Sequence, residues 1–221
     1  MTPRQDASPS PDSHPVPLEL PLGSRIAAAI DRFGEADTVD RAIELLAGAN
    51  AGDEFLLFVG GEHARGVLDG APALYWPELW GARTLLYVWS EKAAPVVITG
   101  LSNQAWRVRE MSVRVALERR LDVAETLVEL TADSSPRVRA AAVRALGSLG
   151  TAEHAERIVA LLRDAERDVR RAAQEARDTL RGRHPGNATA SHGADAVSSP
   201  ADPALPNTDT GTDAEATRPT E

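Results

Sequence analysis

The sequence predicts an all-α chain, a right-handed α-solenoid of stacked helix pairs set between two disordered tails. Three observations carry this. A "VR" pair recurs at Val108–Arg109, Val138–Arg139 and Val169–Arg170, a period of 30 and then 31 residues. An apolar helix precedes each occurrence, and two short helices per repeat of about 30 residues is the pattern of a helical solenoid. The ends of the chain, by contrast, are too poor in large apolar residues to offset chain entropy.

Residues 1–17 are rich in Pro, Ser and Asp and are expected to be a disordered N-terminal tail. From 18 to 92 a helical region is expected, with a degenerate capping repeat. Ser24 is a cap candidate for a first helix whose Ile26, Ile30 and Phe33 share a face, stopped by Gly34. A second helix is expected from about Thr38, with Val39, Ala42, Ile43 and Leu46 inward and Gly48 as its stop. "DEFLLFVGG" from Asp53 to Gly61 reads equally as a buried strand or a buried helix turn, and the helical surroundings favour helix. The degenerate unit pairs Val67 and Leu68 with the later helix "PELWGARTLLYVW", whose aromatics suit a terminal repeat.

Three clear repeats are expected over 93–182. Their first helices carry Val97 and Leu101, then Leu127 and Leu130, then Ile158, Leu161 and Leu162. Their second helices begin at Trp106, Pro136 and Arg167. In the middle repeat Ser135 stands at the cap position and Pro136 at the first helical position, where its missing N–H costs nothing. Val138, Ala141, Ala142 and Ala145 then follow at helical spacing, and Val169, Ala172, Ala173 and Ala176 repeat the pattern. Small alanines let neighbouring helices approach closely. Gln174 and Arg177, where Val143 and Leu146 stood one repeat earlier, give the last helix a wet outer face.

The repeated arginines Arg109, Arg139 and Arg170 lie in the first turn of their helices, where the macrodipole disfavours a cation. Six residues before each stands a short polar acceptor: Asn103, Asp133 and Asp164. Such a turn residue can accept bonds from this guanidinium and from that of an adjacent repeat, forming a structural ladder.

At these residues the chain resembles the HEAT-repeat family, specifically the short HEAT-like repeats of the phycobilin-lyase type, over about 93–182. The resemblance implies a HEAT/armadillo-type superhelix and an aspartate–arginine ladder, carried by Asp133 with Arg139 and Asp164 with Arg170. Asn103 departs from that pattern. The fold hosts scaffolds, lyase subunits, hydroxylases and nucleic-acid enzymes, so function must be argued from the residues themselves.

The chain of 221 residues has no cysteine and a net charge of −9. Residues 97–182 hold 15 arginines against 13 carboxylates, whereas the tail 183–221, also expected to be disordered, holds six carboxylates against two arginines. With no cysteine there is no thiolate metal site and no cysteine nucleophile. No apolar run of membrane-spanning length occurs, and the N-terminus lacks the apolar core of a signal peptide, so a cytoplasmic location is expected.

Arg107 and Arg137 are equivalent, as are Arg114 and Arg144, so they should form a basic strip on the second helices, beside Trp106. Asp168 and Glu175 end the strip in the third repeat, and Glu110 and Glu118 flank Arg114 at i,i+4 spacing. These five residues, Trp106, Arg107, Arg114, Arg137 and Arg144, are the expected partner-binding surface. The aromatic group Tyr75, Trp76, Trp80, Tyr87, Trp89 and Trp106 reads either as a core sealing the N-terminal cap or as an exposed hot spot.

No catalytic set is found, and neither a metal nor a cofactor is expected. HEAT-type hydroxylases use paired His-Glu dyads, and this chain has only the reverse order at Glu62–His63 and Glu153–His154. The function expected is that of a non-catalytic, monomeric protein-interaction scaffold whose partner carries an acidic segment. The acidic tail 184–221 is itself a candidate occupant of the strip, an idea that unchanged partner affinity on its deletion would dismiss. Two rivals are a nucleic-acid-binding protein, which the short strip does not favour, and a lyase- or chaperone-like subunit acting on a flat ligand.

Overall fold

The computed structural model describes residues 16–183. The expectations for the two tails lie outside these residues, apart from 16, 17 and 183. Every regular element among the described residues is helical. α1 (Leu22–Phe33) ends at Gly34, whose φ of 85° is open to glycine at little cost. Ser24 does not cap it. The helix starts earlier, after Pro21, which places Ser24 inside its first turn.

α2 (Glu35–Leu46) likewise starts before the expected Thr38, directly after Gly34. It buries Thr38, Val39, Ala42, Leu45 and Leu46. The stretch from Asp53 is a helix, α3 (Asp53–Gly60). Its buried residues Phe55, Phe58 and Val59 stand at i, i+3 and i+4, so a helical face underlies what looked like a continuous apolar run. α4 (Glu62–Leu68) and α5 (Trp76–Thr84) complete the N-terminal half.

Three helix pairs follow: α6 (Ala94–Gly100) with α7 (Trp106–Glu118), α8 (Ala124–Leu130) with α9 (Pro136–Leu149), and α10 (Ala155–Ala160) with α11 (Arg167–Arg183). Each first helix packs on its own second helix. The second helices stack in the row α5, α7, α9, α11. One continuous core runs through the stack, from Ala29 and Val39 to Ala176 and Leu180.

The N-terminal unit is assembled differently from the expected pairing. α5 packs against α2, and α2 also touches α6, so α2 occupies the place of a first helix. Leu68 on α4 is 40% exposed. α3 and α4 are thus an insertion between the two helices of the pair, with α3 held against α1 and α5. The α2–α5 crossing is close because Gly81 has no side chain. A Cβ there would lie 2.6 Å from the Leu46 nitrogen and 2.7 Å from the Ala42 carbonyl oxygen. Gly147 does the same for α9 and α11, where a Cβ would come within 2.6 Å of Ala176 Cα.

Candidate interaction surface

The turn before each second helix is built by its acidic or amide residue. The side-chain oxygen of Asn103 accepts the Ala105 N–H at 2.9 Å, that of Asp133 the Ser135 N–H at 2.8 Å, and that of Asp164 the Glu166 N–H at 2.8 Å. Ser135 stands at the N-cap of α9 and Pro136 at its first position, but the Ser135 side chain makes no capping bond. Asp133 satisfies that turn instead, as an Asx turn does.

Each guanidinium then works in two directions. Within its own repeat, Arg139 Nη1 donates to the backbone carbonyl of Asp133 at 2.9 Å, and Arg170 Nη1 to that of Asp164 at 2.7 Å. Arg109 Nη1 reaches the carbonyls of Asn103 and Gln104 at 2.8 and 2.9 Å. Toward the next repeat, the Nε and Nη2 fork of Arg109 grips the Asp133 carboxylate at 2.7 and 2.8 Å. The Arg139 fork grips Asp164 at 2.9 and 3.0 Å. The carboxylate expected to pair with the arginine six residues later therefore pairs with the arginine of the repeat before. Arg109 meets only the backbone carbonyl of Asn103, so a neutral amide meets the needs of the turn there.

Burial alone would raise the Asp133 carboxyl, but hydrogen bonds from Arg109 and the Ser135 N–H, with the charges of Arg109 and Arg139, hold it below the ordinary carboxylate value. Asp164 is lowered first by the Arg139 hydrogen bond, against the opposing effect of burial. Arg139 is raised, chiefly by its bond to Asp164. Bidentate pairs of this kind fix spacing as well as energy.

Two further arginines, not singled out by the repeat pattern, tie helix ends together. Arg119, just past α7, donates to the carbonyls of Leu85 and Leu86 at the end of α5. Arg183 on α11 donates to those of Gly147 and Gly150 at the end of α9. Cations at helix C-termini complement both the dipole and the orphan carbonyls. The two arginines stand at different points of their repeats, which hides the shared role from a periodic reading.

On the second helices, Trp106 is half-buried between two guanidiniums. The Arg107 carbon lies 4.4 Å from its ring centroid and that of Arg137 5.9 Å, while Arg107 also lies 5.9 Å from Tyr75. Beside Trp106 a hollow of about 480 Å³ is lined by Gln104, Arg109, Ser134, Ser135, Pro136 and Arg137. Arg114 and Arg144 are differently placed. Arg114 pairs with Glu110 at 3.0 Å and Arg144 reaches across to Glu175 at 2.9 Å, with a smaller hollow of about 190 Å³ between them.

The aromatic group divides. Trp80 is 2% exposed and stacks on Trp76, which contacts Tyr75 and His63. Trp89 donates to Glu91 and lies under Arg119. Tyr87 is exposed, so core and surface are both present in one stretch of sequence. His154 is buried, its Nδ1 accepting the Thr151 N–H at 2.9 Å. Among the described residues no group of three or more potential ligands could hold a metal ion, and no helix is long and apolar enough to cross a membrane.

Stacked helix pairs pinned by a guanidinium–carboxylate ladder define a helical-repeat protein. Residues 94–177 match the family model described as HEAT repeats, so this stretch of the chain is similar to that family. HEAT repeats generally mediate protein–protein interaction. No curated protein matches the chain.

Proposed function

We propose that this chain is a non-catalytic, monomeric adaptor that binds an acidic segment of another protein on the row of second helices, centred on Trp106, Arg107 and Arg137. The observation that supports it is the half-buried Trp106 flanked by two guanidiniums beside an open hollow. Trp and Arg dominate binding energy at interfaces, and here both are held on stacked helices before a partner arrives. An arriving carboxylate can take the exposed Arg137 as a bidentate partner while an apolar side chain covers the indole. Arg114 and Arg144 stand at the margin of the surface, paired with Glu110 and Glu175.

Capture of partners from native lysate tests this reading with two charge reversals. Arg107→Glu with Arg137→Glu is expected to reduce the captured partner at least about tenfold, the equivalent of about 1.4 kcal/mol. Arg114→Glu with Arg144→Glu is expected to have the smaller effect. Equal retention by wild type and the first variant would falsify the proposal. Salt-dependent retardation of DNA or RNA, lost in that variant, would instead favour a nucleic-acid role.

A further inference from the structure

The two hollows beside Trp106 and Arg114 lie in one groove, between the stacked helices α7 and α9, and each is lined from both. In the first, Trp106 and Arg109 on α7 face Pro136 and the exposed Arg137 on α9. In the second, smaller one, Val113 and Leu117 face Ala141, with Arg114 and Arg144 beside them. One end of the groove is therefore aromatic and cationic, and the other has apolar walls.

Ion pairs decide which groove is open. Arg144 on α9 donates from Nε to Glu175 on α11 at 2.9 Å and so bridges the next groove along the stack. Arg114 pairs at 3.0 Å with Glu110, one turn back on its own helix, and bridges nothing. The α7–α9 groove stays open, and its wall is low at Ala141, the counterpart of Met111 one repeat earlier.

Helix geometry sets the distance between the two ends. Trp106 to Val113 on α7 and Arg137 to Arg144 on α9 each span about 10.5 Å of helix rise. Side chains at i and i+7 of a partner helix share a face at that same spacing of about 10.5 Å, so both can enter the groove. An extended segment offers same-face side chains about 6.6 or about 13 Å apart and misses one hollow.

We infer that the α7–α9 groove binds an acidic amphipathic helix of another protein. A carboxylate of that helix meets Arg137, and an aliphatic side chain seven residues away fills the hollow of Val113, Leu117 and Ala141. This rests on the adaptor reading and adds to it the partner's secondary structure, its register and a second anchor. Opposite charge selects the first anchor, and the apolar walls select the second, since a polar group there would lose water without gaining a partner.

Fluorescence anisotropy of labelled, stapled helical peptides with the full chain tests it. The probe carries a glutamate and a leucine seven residues apart in an alanine–glutamine background, made in both orders. The control has the same composition and a spacing of five, which puts the two side chains on different faces. One order of the probe is expected to bind at least about tenfold more tightly than the control, as burial of one leucine side chain warrants. Ala141→Leu, which fills the second hollow, should remove most of that advantage and leave the affinity of a peptide without leucine unchanged. Equal affinities for probe and control overturn the register; if Arg107→Glu with Arg137→Glu still weakens both, the adaptor reading survives without it. No binding by either order overturns the site. Displacement of the probe by a synthetic 184–221 peptide gives the groove to the chain's own acidic tail and overturns it too. Should Ala141→Leu fail to fold, the comparison of probe with control on the wild-type chain decides alone.

Discussion

The two halves of the described chain treat buried arginine in opposite ways. In the repeats, Arg109 and Arg139 are almost enclosed, yet every arm of each guanidinium has an acceptor, and each fork closes on a carboxylate one repeat away. In the N-terminal unit, Arg25 is buried and Arg83 half-buried, and both keep buried donors without partners. The same residue type is therefore a fastening in one region and, among the described residues, a charge without a carboxylate partner in the other. What separates them is the turn: a periodic Asp supplies a counter-charge at each step of the array, while the α3–α4 insertion brings only a backbone carbonyl, that of Val59.

The sharpest way to break this contrast is to make a repeat arginine resemble Arg25. Asp133→Ala strands the Arg109 fork and is expected to cost about 3 kcal/mol, the usual penalty for removing one partner of a buried pair. Urea denaturation measures it, and a cost under about 1 kcal/mol would mean that solvent reaches the ladder easily. The two close crossings come next. Gly147→Ala and Gly81→Ala should each lose about 2 kcal/mol from overpacking against backbone, despite alanine's better helix propensity. A neutral result at Gly81 would show that the N-terminal unit yields where the array does not.

The pH dependence has a defined sign. Asp133 and Asp164 have folded-state values below their ordinary ones, so their contribution is fully present above the unfolded carboxylate pKa of about 3.9. It is lost as pH falls below that value through the lowered folded-state pKa. Denaturation followed from pH 6 down to pH 2 should show this acid limb, and Asp164→Asn should flatten it. Smallest of all is the surface pair. Arg144 and Glu175 are about half exposed, and Arg144→Ala is expected to change stability by no more than about 0.5 kcal/mol in the same urea assay.

The array was legible because its signals are local and repeated. The Val-Arg period, the alanines behind it and the polar residue six positions before each arginine mark α7, α9 and α11 at their observed starts. The ladder's two-way character was legible, but not its division of labour: the Asp133 carboxylate takes the Arg109 fork, while Arg139 takes the Asp133 backbone carbonyl. The α2–α5 pairing is hidden for a related reason: two short helices intervene, and adjacency in sequence points to α4. In the expected surface, Trp106, Arg107 and Arg137 come together around one indole, whereas Arg114 and Arg144 lie apart, each with a carboxylate that the i,i+4 pattern disclosed for only one of them.

By itself the sequence determined the helical repeat, its period and the residue types at each turn, because hydrophobic spacing and turn chemistry act over a few residues. Tertiary structure alone decided which carboxylate meets which guanidinium, which helix completes the first pair, and that Arg25 is buried against Gly61. Those outcomes depend on how close two helices come, and a glycine at a crossing sets that distance only once the partner helix has arrived.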